Sequence, residues 1–570
     1  MPRSLIFRRD RCLACRSCEL ACAVIHSQSG RLETAVFEEL PPKRRVAIVQ
    51  GRMGIEALRC KQCGEPLCVF SCKSGALQRA PLDGHVVFDD TRCVACLMCL
   101  MVCPFGIRPD PARGRIARCD VCRDLETPAC VAACPTRALG TCDEPAAGVR
   151  STFNGRLVVV GSSAAGIAAC EAAREWAPDC SIVMVTADRV PQYSRPLLPY
   201  VLSGRAERAA LGWRAEDYLE TRLGVTVLTG RRATHLDTDI KSLTLDDGRE
   251  LAFDRLVIAT GARAATLPIP GADLPGVFSL RTLDDLDALD RLARPGRRAV
   301  VLGGGNVGLQ TCEAVLARGV SVTVVARSSH LLSQMVDQEA GRRVGELFGR
   351  HGLVLRTGRD AAEISGECQV EAVRLDDGEM IAADMVIVAK GIQPNVEWVR
   401  ASRVQTGRGV LVDLSGRTSV SEVFAAGDCS EVTDPLTGQP ATSGIWPVAY
   451  EMGRSAGSTA VGVERASCGA LRMNASRFFG ESIISIGEVR AERLPGAVGH
   501  VLADSERVYR KVVLRDRRLV GALLYGDVSR AGLYYRLYRE RVDLTGVTLE
   551  DLERTEPNTV LKTEADGRVT

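Results

Sequence analysis

Apolar residues along this 570-residue chain gather into short runs at intervals. Leu157 to Val160, Ile182 to Val185, Ala299 to Leu302 and Val322 to Val325 each have the length and character of a strand. Two of these runs break directly into glycine-bearing turns, Gly161-Ser162-Ser163-Ala164-Ala165-Gly166 before an alanine-rich helical stretch, and Gly303-Gly304-Gly305-Asn306-Val307-Gly308. Leu256 to Ile258 leads into Thr260-Gly261, and Val423 to Ala426 leads into Gly427-Asp428. Further on, Val508 to Leu514 reads as a strand and Ala531 to Tyr538 as a helix, with Tyr534, Tyr535 and Tyr538 at helical spacing and expected to pack in a core or a dimer interface.

Length implies three or four domains, since a single core stops growing near about 250–300 residues. A formal charge of +3 with acids and bases mixed gives no nucleic-acid footprint. No stretch reaches the ~18 uninterrupted apolar residues of a spanning helix, so no membrane insertion and a cytoplasmic location are expected. Arg8-Arg9 imitates an export signal, but a cysteine motif follows where the apolar stretch of such a signal should be.

Cysteine changes the picture most. Of 23 cysteines, 17 precede residue 143, and sixteen of these form four blocks: Cys12, Cys15, Cys18, Cys22; Cys60, Cys63, Cys68, Cys72; Cys93, Cys96, Cys99, Cys103; and Cys119, Cys122, Cys130, Cys134. Blocks one and three have the C-x2-C-x2-C-x3-C spacing in which three thiolates hold one 4Fe-4S cluster and the fourth serves its neighbour. Pro104 and Pro135 close blocks three and four, while Ala23 and Lys73 stand there in blocks one and two. Structural zinc uses paired CxxC as well, but three cysteines within seven residues suit a cubane better. Cys142 has no block and is expected to be a free thiol. Sixteen ligands imply four clusters.

Residues 1–142, with CVACLMCLMVCPFGI and CDVCRDLETPACVAACPTRAL, resemble the four-cluster electron-transfer subunits of carbon monoxide dehydrogenases, molybdenum or tungsten enzymes and hydrogenases. The resemblance implies that block one pairs with block four and block two with block three, with the clusters strung in a line.

The four glycine and acid motifs outline two dinucleotide sites, one nested in the other. Gly161, Ser163, Ala165 and Gly166, with Thr260, Gly261, Gly427 and Asp428, are assigned to FAD. Gly303, Gly305, Asn306 and Gly308 are assigned to a nicotinamide dinucleotide, whose pyrophosphate the following helix N-terminus receives. Residues 155–465 resemble the two-dinucleotide flavoproteins that include NADH:rubredoxin reductase and the flavin part of nitrite reductase. The resemblance rests also on Tyr193-Ser194-Arg195-Pro196-Leu197-Leu198-Pro199 and Trp446-Pro447-Val448-Ala449, and implies Arg195, Pro196 and Ala449 as FAD contacts. The sequence departs from that pattern in three places. Thr186 replaces the usual ribose-binding acid, with Asp188 as substitute; Ala326-Arg327 replaces the acid after the second strand of the nicotinamide unit, which favours NADP(H), whereas Gly308 favours NAD; and Gln310 stands where a Glu is common. The choice of nucleotide stays open.

The fold expected is therefore α/β, with a ferredoxin-like α+β iron-sulfur domain (1–142), a linker (143–154), an FAD domain in two parts (155–285 and 396–465) around a nicotinamide domain (286–395), both Rossmann-like in the glutathione-reductase manner, and an α+β interface domain (466–570). The function expected is an FAD-dependent NAD(P)H:ferredoxin-type oxidoreductase. A low-potential partner, such as carbon monoxide dehydrogenase, a tungsten or molybdenum enzyme, formate dehydrogenase or a hydrogenase, feeds the clusters, and a homo-oligomer is allowed. The alternatives are a reductase of free ferredoxin or flavodoxin, a disulfide or peroxide reductase on the same fold, and a relay with vestigial sites. YSRPLLPY lacks the redox cysteine of the disulfide and peroxide reductases, and Cys170, Cys180, Cys312 and Cys429 read as small buried hydrophobes.

Overall fold

The computed structural model describes residues 3–51, 54–81, 83–110, 113–143 and 150–554, and divides into two compact units, 1–147 with 473–570, and 148–472. In the first segment, β1 (Arg3–Phe7) pairs antiparallel with β2 (Leu139–Asp143), from Arg3 opposite Asp143 to Phe7 opposite Leu139, so the segment closes on itself. Cys142 lies in β2 opposite Ser4, and its side chain is outside the described residues. Between the strands, α1 (Ser17–Ile25), α2 (Leu67–Phe70), α3 (Met98–Val102) and α4 (Ala129–Ala132) each carry cysteines. The core is small and is partly built of thiols: Leu5, Val46, Ile48, Ala57, Val121 and Leu139 pack with Cys18, Cys22, Cys119 and Cys130.

Unit 148–472 holds two five-stranded sheets, each wholly parallel. Strands β3 (Arg156–Val160), β4 (Ser181–Thr186), β5 (Val225–Thr229) and β6 (Arg255–Ile258) belong to the first, followed in the chain by β7 (Val277–Phe278), β8 (Arg298–Leu302), β9 (Ser321–Ala326), β10 (Val354–Thr357) and β11 (Met385–Val388) of the second, and β12 (Val423–Ala425) returns to the first. The orders are β5-β4-β3-β6-β12 and β7-β11-β8-β9-β10. Sheets buried on both faces need apolar residues on both, which is why these strands read as runs rather than alternations; Leu157, Val158, Val159 and Leu256 to Ile258 are fully buried. Strand β7 belongs to the second sheet, so that body begins before residue 286, the boundary expected from sequence.

The longer helices of the unit are α5 (Ala164–Trp176), α6 (Leu283–Leu292), α7 (Asn306–Leu316), α8 (Gln338–Arg350) and α9 (Trp446–Ala460). Helix α6 starts with a capping box in which Thr282 and Asp285 satisfy each other's backbone N–H. Helices α5 and α9 approach closely because Gly453 and Gly457 meet the carbonyls of Ala165 and Ala169, where a Cβ would overlap. The pair is locked by Glu171, which accepts from Arg214 at 3.1 Å, from Tyr218 at 2.8 Å and from Tyr450.

The C-terminal segment forms an antiparallel sheet, β13 (Met473–Phe478), β14 (Glu481–Gly487), β15 (Val498–Asp504), β16 (Tyr509–Arg515) and β17 (Arg518–Tyr525), in the order β13-β14-β17-β16-β15, covered by α10 (Ala531–Arg539). Tyr534, Tyr535 and Tyr538 are buried, as their spacing suggests. This segment, read from sequence as a separate domain from 466, packs with residues 1–147 as one unit: α10 lies on α3, and Gly532 sits against the carbonyl of Cys103, where a side chain would overlap.

Candidate functional site

All four cysteine blocks open with the same turn. The residue two after the first cysteine is left-handed in each, with φ of +53° at Ala14, +49° at Gln62, +51° at Ala95 and +61° at Val121. None is glycine, and the left-handed region costs an L-residue about 1–2 kcal/mol. The turn aims N–H groups at sulfur: Ala14 donates to Cys12, Gln62 to Cys60 and Val121 to Cys119, each at 3.4 Å.

These turns gather the thiols into four quartets. Cys12, Cys15 and Cys18 lie with Cys134, and Cys119, Cys122 and Cys130 lie with Cys22. Cys60, Cys63 and Cys68 lie with Cys103, and Cys93, Cys96 and Cys99 lie with Cys72. The fourth cysteine of each block is thus found with the first three of its partner block. Electrostatic reach between Cys18 and Cys130, between Cys60 and Cys119, and between Cys68 and Cys99 orders the quartets in a row. Of the sixteen thiols, Cys15 at one end of the row is the exposed one.

Burial first, and then the neighbouring thiols, push Cys63 up to about 11 and Cys130 up to about 12. Sulfurs this crowded and this dry hold their protons tightly unless a cationic centre replaces them, which is the donor set an iron-sulfur cluster requires. The sixteen residues fit that group in number, identity and grouping.

In unit 148–472, the turns after β3 and β8 are copies of one another. Gly161 and Gly303 have φ of +120° and +125°, and a Cβ on either would overlap the carbonyl of Ala259 or Ala389. Gly166 and Gly308 bring α5 and α7 down onto those turns, against the carbonyls of Gly161 and Gly303. Ser163 and Gly305 are the N-caps of these helices; the space beyond Gly305 is open, and Asn306 begins the second helix. Both helices start at the carboxyl ends of parallel strands, where helix N-termini receive the phosphates of dinucleotides.

Ala165, Gly427 and Ala449 meet at one point, a Cβ at Gly427 falling 2.9 Å from that of Ala165 and 3.6 Å from that of Ala449. Asp428 accepts from Arg281 at 3.0 Å. Arg195 donates to Asp188 at 2.6 Å and to the carbonyl of Arg281 at 3.1 Å, so Asp188 reaches a guanidinium before any ribose. Thr186 is buried and bonds Ser162 at 2.9 Å. Thr260 and Asn395 exchange bonds of 2.8 and 3.0 Å beside Gly261, and Pro196 is half-buried in the turn after Arg195. A Cβ on Gly444 would lie 4.0 Å from the Asp428 carboxylate, and the buried Ser443 Oγ and Trp446 Nε1 at the start of α9 have no partner among the described residues. Orphaned donors beside a carboxylate and a glycine turn suit a polyhydroxylated, phosphorylated ligand such as FAD. Arg327 is exposed, directly after the last residue of β9.

The match to known proteins decides the family. The sequence profile of the pyridine nucleotide-disulphide oxidoreductases fits residues 155–453. The chain belongs to that family. Two further profiles fit this oxidoreductase: a 4Fe-4S dicluster domain over residues 52–144, and the C-terminal domain of rubredoxin NAD+ reductase over residues 473–541. It is 30% identical over 374 residues to the assimilatory nitrate reductase electron transfer subunit of Bacillus subtilis, covering 65% of this chain and 48% of that protein, so it spans about half the length of that relative. It is 29% identical over 399 residues to the NADH-dependent phenylglyoxylate dehydrogenase subunit epsilon of Aromatoleum evansii, covering 70% of this chain and 94% of that one. Among solved structures, a NAD-dependent persulfide reductase from A. fulgidus superposes with a TM-score of 0.65 at 26% identity, covering 69% of this chain and 78% of that one.

Sequence reasoning missed two residues of this oxidoreductase that matter to its sites. Arg281 joins Asp428 to Arg195, and its position just before the Thr282–Asp285 cap was the one local signal. Arg118 donates to the sulfur of Cys60, and its only signal was adjacency to Cys119. No helix among the described residues is long and apolar enough to cross a membrane.

Proposed function

We propose that the chain moves electrons between a low-potential partner enzyme and NAD(P)H, through four 4Fe-4S clusters on the sixteen block cysteines and an FAD in unit 148–472. The observation that carries this reading is the fourfold thiol turn with its exchanged fourth cysteine, found in one chain with two copies of a dinucleotide-binding turn. Bound FAD exchanges electrons singly or in pairs, the chemistry that joins one-electron clusters to a two-electron nicotinamide.

The protein's own residues hold and orient. Gly161, Ser163 and Gly166 present N–H groups to the FAD pyrophosphate, and Ala165, Gly427 and Ala449 keep that approach free of side chains. Asp428 receives ribityl hydroxyls while Arg281 fixes its carboxylate, and Arg195 and Pro196 line the isoalloxazine. Thr260 and Gly261 close the edge of that site. Gly303, Gly305, Asn306 and Gly308 receive the nicotinamide dinucleotide, with Arg327 placed for a 2'-phosphate if NADP(H) is the substrate. Hydride transfer requires no proton-carrying side chain, in keeping with Gln310 in place of an acid.

The partner is a catalytic subunit of the carbon monoxide dehydrogenase, aldehyde oxidoreductase, formate dehydrogenase or hydrogenase kind. A relative that is itself a subunit of a NADH-dependent dehydrogenase supports this. The exposed Cys15 marks the end of the row at which such a partner docks, beside the basic run Arg8, Arg9, Arg11 and Arg16.

Anaerobic titration of the iron-reconstituted protein with NADH and, separately, NADPH tests the reading, with flavin absorbance and cluster EPR followed together. Flavin bleaching followed by cluster signals from one nucleotide is the expected result. A protein that binds FAD but no iron, or whose clusters stay oxidised both to nicotinamide and to a low-potential reductant, would overturn it.

A further inference from the structure

We infer that Arg118 is a positioning residue for electron transfer, and that it makes the Cys60, Cys63, Cys68 and Cys103 quartet the station at which an electron is retained. The inference rests on the four-cluster reading above. Arg118 is 3% exposed. Its Nη2 donates to Cys60 Sγ at 3.1 Å and its Nη1 to the carbonyl of Val86 at 2.8 Å, while its Nε is buried with no partner among the described residues. No carboxylate pairs with it among the described residues; the anionic groups within its reach are the sulfurs of Cys60, Cys68 and Cys119, which belong to two adjacent quartets.

A buried guanidinium without a carboxylate needs another anion, because a lone charge in a dry interior is costly. A cluster on this quartet supplies one, and the orphaned Nε is a donor still available to it. Further cations lie near the same quartet. Arg59, next to Cys60, is shared with Cys119 and Cys130 of the adjoining quartet, and donates to the carbonyls of Leu5 at 2.9 Å and Ala57 at 3.1 Å. Phe105, two residues after Cys103, carries Lys61 at 4.4 Å and Arg536 at 5.5 Å over its ring. At Cys72 of one neighbouring quartet the Leu77 N–H lies at 3.3 Å and the Ser74 hydroxyl at 3.6 Å; at Cys22 of the other, His26 Nδ1 lies 3.7 Å and the Arg45 N–H 3.1 Å from the sulfur, but the charges of both side chains are shared with Asp120, at 3.2 and 2.6 Å.

Positive charge and hydrogen bonds to sulfur both favour the added negative charge of reduction, so they raise a cluster's potential. The third site in the row, counted from Cys15, is then the one that keeps the first electron while a second arrives. Single arrivals are thereby matched to the pairwise demand of a nicotinamide.

The test is an EPR-monitored redox titration of the full-length, iron-reconstituted protein, with Cys63→Ser identifying which signal belongs to this quartet. Arg118→Gln is expected to keep its iron and to lower the midpoint of that signal by ~59 mV or more, a tenfold change for one electron. Arg118→Lys, which keeps the charge and loses the fork, is expected to lower it less. An unmoved midpoint in iron-replete Arg118→Gln overturns the inference alone. Should Arg118→Gln lose iron, Arg118→Lys decides: a lowered midpoint supports the inference and an unchanged one overturns it. A wild-type protein with no signal that Cys63→Ser removes overturns the cluster reading at this quartet as well.

Discussion

The guanidinium of Arg281 donates to the carboxylate of Asp428 at 3.0 Å across 147 residues of sequence. Its Nε holds the carbonyl of Ala262 at 2.6 Å, and its own carbonyl receives Arg195. One residue thus orients two of the groups assigned to FAD. Charge-assisted bonds of this kind contribute about 1.5–3 kcal/mol, so Arg281→Met should weaken FAD retention about ten- to a hundredfold. Fluorescence of FAD released on dilution measures this, and unchanged retention would count against the assignment.

The two glycine turns should fail independently. Gly166→Ala forces a Cβ into the carbonyl of Gly161, and Gly308→Ala does the same at Gly303. Each is expected to cost about 1–3 kcal/mol of stability from overpacking. The first should lower flavin content; the second should keep the flavin and weaken nucleotide binding. Thermal melting with flavin absorbance separates them, and loss of flavin in both variants would contradict the division of labour.

Ligand exchange between blocks has a signature of its own. Cys22 lies with the fourth block's thiols, so Cys22→Ser and Cys122→Ser should abolish the same EPR signal, while Cys18→Ser abolishes another. Each variant should lose on the order of four iron atoms per chain. If Cys22→Ser and Cys18→Ser removed one common signal, the blocks would be holding clusters without exchange.

Arg327 bears on nucleotide choice. It is exposed and follows Ala326, where an acid would repel a 2'-phosphate. Arg327→Ala should raise the KM for NADPH about tenfold and leave that for NADH nearly unchanged, since a contact to a charged group is worth about 1.5–3 kcal/mol and only NADPH makes it. Steady-state kinetics with both nucleotides decide the matter, and an unmoved NADPH value would make Arg327 a surface residue only.

Acid should loosen α8 early. Arg342 and Arg343 both bond Glu339 at 2.7 Å, and these bonds hold its carboxyl down at about 2. A carboxyl held low in the fold adds stability that is complete above the ordinary glutamate range and is lost as pH falls from about 4.5 toward 2. Glu339 is partly exposed, so solvent screening keeps the effect small. Amide protection factors in residues 338–350, with the intrinsic exchange rate at each pH divided out, should fall as pH drops through that window in the wild type and change less in Glu339→Gln.

The parts legible in the sequence were those with local causes. A cluster needs thiols at short fixed spacings, and a strand covered on both faces needs an apolar run, so the blocks and Leu157 to Val160 or Ala299 to Leu302 could be read directly. The exchange of Cys22, Cys72, Cys103 and Cys134 came from family resemblance, because spacing alone leaves the fourth ligand's destination open. Arg118 and Arg281 carried only faint local signals for the opposite reason. Their partners lie 58 and 147 residues away, and arginine is common on any surface. Likewise β7 is two residues long, too short to carry a periodic signal, and the packing of α10 against α3 depends on a glycine at 532 that looks ordinary in sequence.

Because residues 1–147 share a compact unit with residues 473–570, the ribosome releases the two halves of that unit far apart in time. At about 5–20 residues per second, the intervening chain takes on the order of tens of seconds to make. Throughout that interval the cysteine blocks are outside the tunnel while Gly532 and the helix that caps Cys103 do not yet exist. Iron offered to the nascent chain would therefore meet the Cys103 carbonyl uncovered, and the packing of α10 would come only later.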